Sequence, residues 1–147
     1  MKKLLLLAIV IVAAYFGGIE SGFIPPQHGD SSTSVGRADQ VLAGAFDNHQ
    51  SNVQIQGGGE VTKVLADDND GSRHQRFIVQ LVSGQTLLVA HNIDLANRVA
   101  LLKTGDYVEF NGEYEWNAQG GVIHWTHRDP QGSHVAGWIK HNGLTYQ

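Results

Sequence analysis

From Val53 onwards the apolar residues recur at every second position, and no other feature limits this chain's fold as strongly. A period of two belongs to strands with one buried and one wet face. Val53 and Ile55 lead through Gly57, Gly58 and Gly59 into 60–65, a long first strand bent at its glycines. Residues 73–81 alternate next, with Phe77, Val79 and Leu81 on one face. Ser83-Gly84 turns the chain into 85–91. After a gap come 107–116 and 122–127, joined by a Gly-rich hairpin loop at 117–121. In the gap, Leu95, Val99 and Leu102 carry helical spacing. Finally, Asn142-Gly143 between 135–140 and 144–146 is a type I′ hairpin signal.

Three strands, a short helix and two more strands is the order of an OB-type barrel. The predicted fold is therefore mainly β: a small OB-like five-stranded barrel with a short helix between strands 3 and 4. A capping helix precedes it from Ala38, where Val41, Leu42, Ala45 and Phe46 share one stripe, and a C-terminal hairpin follows. A different small antiparallel barrel or a sandwich is the alternative. Leu102, Gly105, Asp106, Val108, Phe110 and Gly112 resemble the fourth-strand entry of many OB domains.

The first residues carry a different message. Lys2 and Lys3 precede thirteen uninterrupted apolar or small residues at 4–16, the length of a signal-peptide core and short for a membrane span. Two fates fit residues 1–22: cleavage as a signal peptide, or retention as an N-terminal anchor. Residues 23–37, rich in Pro, Gly and Ser, read as a linker, leaving 38–147 as the domain. The expected location is the periplasm, either free or tethered to the inner membrane.

Cysteine is absent, which excludes disulfides, cysteine-bearing zinc sites and thiol nucleophiles. With Lys2 and Lys3 set aside, eight Lys and Arg face fourteen Asp and Glu, a balance of −6. Broad attraction to nucleic acid or anionic lipid is disfavoured at that charge. Gly57 to Gly59 open a strand rather than a helix and so form no phosphate cradle, and neither G-x-S-x-G nor H-E-x-x-H occurs.

Three constellations remain that can carry chemistry. His91 and His127 sit at strand ends with core-face parity, and His134 lies past a turn that returns the chain to the same rim. Three imidazoles converging there, with Asp129 as a fourth ligand or a supporting partner, suit zinc or copper. The plain alternative is that each histidine caps a strand end alone. A second set, Arg76, Glu113, Arg128 and Asp129 with Glu115 and the acidic loop at 67–71, resembles the parts of secreted OB-type phosphodiesterases. That loop lacks calcium-loop spacing and reads as a solvated turn. Third, Trp116 and Trp138 are candidate stacking platforms for a small ligand or glycan, while Trp125 is assigned to the core.

The chain also resembles a family of small exported bacterial proteins with no assigned function. The resemblance rests on Arg73-His74-Gln75-Arg76-Phe77, Ala90-His91-Asn92-Ile93-Asp94-Leu95, Gly112-Glu113-Tyr114-Glu115-Trp116, Gly137-Trp138-Ile139 and above all His124-Trp125-Thr126-His127-Arg128-Asp129-Pro130. It implies an exported domain. The reading it leaves is a binding or interaction module for a small ligand, glycan or protein. A histidine-dependent metal-binding protein or metal-dependent hydrolase is the alternative.

Overall fold

The structure, a computed structural model, describes residues 31–147. The leader and most of the linker assigned above lie outside the described residues. One helix, α1 (Ser31–Asp47), precedes seven strands: β1 (Val53–Val64), β2 (His74–Gln80), β3 (Thr86–Asn92), β4 (Tyr107–Glu115), β5 (Val122–His124), β6 (Trp138–His141) and β7 (Leu144–Tyr146). The strands run in the order β1-β2-β3-β5-β4-β6-β7, and β1 also pairs with β4. That extra pairing closes β1, β2, β3, β5 and β4 into a barrel in which only β3 and β5 are parallel.

Alternation explains the closure. Val61, Phe77, Val79, Leu87, Val89, Val108, Phe110, Tyr114 and Ile123 are buried, while their neighbours along each strand point outward. β1 serves two partners: Val53 to Glu60 pair with β4, and Glu60 to Val64 pair with β2 across a bulge between Val61 and Lys63. The crowding at that switch requires glycine. A Cβ on Gly59 would stand 2.6 Å from the Gln80 carbonyl oxygen, and one on Gly58 would stand 3.0 Å from that of Val108.

α1 starts at Ser31, so residues assigned to the linker belong to the helix. Its buried stripe is Ala38, Leu42 and Ala45, and Val41, expected inside, is 41% exposed. Asp39 fixes this rotation, because its Oδ2 accepts the Ser83 N–H at 2.9 Å. Trp116 completes the clasp by donating its indole N–H to the Phe46 carbonyl at 3.1 Å.

The helix expected between strands 3 and 4 does not form; residues 93–106 run as turns. Buried side chains claim the backbone groups that such a helix would use. Gln75 bonds both the N–H and the carbonyl of Val99, at 2.8 and 3.1 Å, and His91 Nε2 lies 3.0 Å from the Asn97 carbonyl. Leu101 then adopts φ +55°, outside the helical region. The C-terminal hairpin forms as read, with positive φ at both Asn142 and Gly143, the type I′ signature.

Candidate metal centre on the outer face of the barrel

Two rows of outward side chains cross four strands. Arg76 stands opposite Ala90, and Ile78 opposite Leu88, between β2 and β3. Leu88 lies beside Val122 in the parallel β3–β5 pair, and on the same faces Ala90 follows Leu88 along β3 as His124 follows Val122 along β5. β4 completes the rows, with Glu115 opposite Val122 and Glu113 opposite His124.

At the β4–β5 end of these rows, Glu113, Glu115 and His124 each present a ligand atom, all within 4.8 Å of one another. No other His, Asp or Glu trio among the described residues does so. His124 Nε2 lies 3.7 Å from Glu113 Oε1 and 3.5 Å from Glu115 Oε1. It is shielded from solvent and has no hydrogen-bond partner among the described residues. Hydrogen bonds of this kind run at about 2.9 Å. Two ligands on one tetrahedral ion, each about 2.0–2.2 Å from it, stand roughly 3.4 Å apart. The two contacts to His124, at 3.7 and 3.5 Å, are longer than hydrogen bonds and close to the separation of two ligands on one ion.

The loop at 125–137 supplies the support. Trp125, at φ +54°, turns the chain away from β5, and Gly137 packs against the Trp125 carbonyl. Asp129 gathers the loop: its carboxylate accepts the N–H groups of Gln131, Ser133 and His134 at 2.8–3.0 Å, and the Ser133 hydroxyl at 2.8 Å. Those donors hold its pKa down to about 2. So organised, the loop delivers His134 Nε2 to 2.6 Å from Glu113 Oε2 and Nδ1 to 2.8 Å from the Val135 carbonyl. A carbonyl only accepts, so Nδ1 carries a proton; the Glu113 carboxylate favours a second one on Nε2 and raises the pKa. Trp125 stacks on this imidazole, with ring centroids 4.1 Å apart and planes 8° from parallel.

The four ligands expected from the sequence do not converge. His91 is buried with both ring nitrogens engaged, Nδ1 at 2.8 Å from Thr126 Oγ1 and Nε2 on Asn97. Burial lowers its pKa to about 4. His127 Nδ1 bonds the Arg128 carbonyl at 2.7 Å, and Asp129 is occupied by its own loop. Of that set, His134 alone reaches the centre, through Glu113.

The phosphodiesterase-like set also disperses. Glu113 joins the trio, but Arg76 lies three strands away and Arg128 is exposed on the loop. In the acidic loop, Asp67 pairs with Arg98 and Asp68 accepts the Asp70 N–H at 3.0 Å, the contacts of a closed turn. Among the tryptophans, Trp116 packs against the core instead of offering a platform, and Trp125 is only half-buried. Trp138 points outward, with the Lys140 ammonium 4.5 Å above its ring.

His124 is the residue that sequence reasoning passed over. The available signal was Glu113 and Glu115 at i and i+2 on one strand face, with a histidine just across a short hairpin.

A family model described as "Protein of unknown function (DUF3465)" matches residues 28–147. The chain belongs to this family. The DUF3465 match spans α1, the closed barrel and the terminal hairpin, and so includes Glu113, Glu115, His124 and His134. No curated protein matches the chain.

Proposed function

We propose that this DUF3465 domain is an exported binding module that holds a divalent transition-metal ion, zinc or copper, through Glu113, Glu115 and His124. The observation that carries this reading is the shielded, unpartnered His124 Nε2 at ligand distance from two carboxylates. Two carboxylates and one imidazole neutralise a divalent ion and leave a coordination position open. His134 is a positioning residue, since its bond to Glu113 Oε2 turns Oε1 towards His124. The basic, apolar leader supports export. No helix among the described residues is long and apolar enough to cross a membrane.

Zinc titrated into chelator-treated protein without a His tag tests the proposal by calorimetry. One ion per chain is expected, and His124→Gln or Glu113→Gln should weaken it at least a hundredfold. His134→Gln should weaken it about 10–100-fold, the usual effect of losing a ligand's supporting partner. Absence of binding heat with both zinc and copper, or equal affinity in His124→Gln, overturns the assignment.

A further inference from the structure

The two outward rows continue from the metal centre across β5, β3 and β2. Beyond Glu115 lie Val122, Leu88 and Ile78 in paired register, and Ala90, two residues past Leu88 on the same face of β3, stands opposite Arg76. Ile78, Leu88, Ala90 and Val122 are all half-buried and form a continuous apolar strip. Ile78, Leu88, Ala90 and Val122 on the outer face of a small barrel break the apolar-in, polar-out alternation that β4 keeps. Arg76 borders the strip. Its Nε donates to the Ala66 carbonyl at 3.1 Å, and no carboxylate among the described residues pairs with it. The strip thus runs from Arg76 on β2 to the proposed ion between β5 and β4, two to three strand spacings or roughly 10–14 Å away.

Charge selects the ligand. Without a metal ion, Glu113 and Glu115 repel an anion. A divalent ion cancels them and opens a coordination position, and Arg76 offsets the charge of an anion bound there.

We infer that this face binds a small organic anion, with its oxyanion on the metal and its apolar body on the strip of Ile78, Leu88, Ala90 and Val122. The inference rests on the metal reading and adds the class of ligand. Both parts of the molecule are required. An oxyanion without an apolar body leaves the strip uncovered, and an apolar body without an oxyanion gains nothing from the metal or from Arg76.

The test is a titration of phenylphosphonate into the zinc-loaded and the zinc-free protein. Methylphosphonate, which lacks the ring, and benzyl alcohol, which lacks the oxyanion, serve as comparison probes. Phenylphosphonate should bind the zinc-loaded form about tenfold or more tighter than the zinc-free form and than methylphosphonate, as burial of a ring warrants. Leu88→Asn should erase the preference for the ring while zinc affinity stays the same, and Arg76→Gln should weaken both phosphonates by less than twofold at ordinary salt, where a charge this far off is largely screened. Two outcomes overturn the inference alone: phenyl- and methylphosphonate binding equally to zinc-loaded protein, or phenylphosphonate binding regardless of zinc. Failure of zinc itself to bind overturns the metal reading and this inference together, and the direct zinc titration identifies that case.

Discussion

His91 and His134 share a side chain and differ in everything that governs its charge. His91 is sealed among core residues, and burial lowers its pKa from 6.5 to about 4. His134 leans on a carboxylate, which raises its pKa. The two contribute oppositely to stability. For His91 the unfolded chain takes up a proton that the native state refuses, so its contribution is complete above pH 6.5 and falls away towards pH 4. The full loss is about 3 kcal/mol. His134 stabilises the fold below pH 6.5, and that contribution disappears as pH rises through its elevated pKa. Urea denaturation between pH 7 and pH 4 should show the fall, and His91→Gln should flatten it while lowering stability at pH 7. An unchanged slope in His91→Gln would mean that another group controls acid stability.

Among the elements, the loop at 125–137 does the most positioning with the fewest residues. A Cβ on Gly137 would stand 1.8 Å from the Trp125 carbonyl oxygen and 2.6 Å from that of Asn111, both of them backbone atoms. Gly137→Ala must therefore move the loop away from β4 and draw His134 off Glu113. We expect it to cost about 1–3 kcal/mol, in the range for overpacking, and to weaken zinc binding as far as His134→Gln does. Denaturation and zinc titration on the same variant check both parts. Full zinc affinity in Gly137→Ala would show that the loop does not position the centre.

The closed barrel makes the metal centre a property of the whole molecule. Glu113 and Glu115 come from β4, His124 from β5, and Glu113's support from a loop that leads to β6. An unfolded chain cannot hold those groups at ligand distance, so zinc binds the native state and stabilises it by mass action. At a hundredfold excess over Kd the gain is about 2.7 kcal/mol. A domain of this size should then melt roughly 8–15 °C higher. Differential scanning calorimetry with and without zinc measures the shift, and His124→Gln should abolish it.

Alternation, glycine placement and turn chemistry determined the barrel without tertiary information. The bent first strand, the Phe77-Val79-Leu81 face and the Asn142-Gly143 turn follow from local sterics and burial, which act over a few residues. Three features were decided only in the folded chain. Gln75 and His91 capture backbone at 97–99 and replace a helix with turns, through contacts between distant segments. Asp39, by reaching Ser83, rotates α1 so that Val41 faces water. The metal centre depends on register. A loop at 117–121 closing symmetrically would set Glu113 opposite Trp125, whereas the actual pairing sets it opposite His124. One residue of slip exchanges the faces of a strand. Period two thus named the two faces of each strand, and barrel closure with its exact cross-strand offsets chose which polar groups on the outer one would meet.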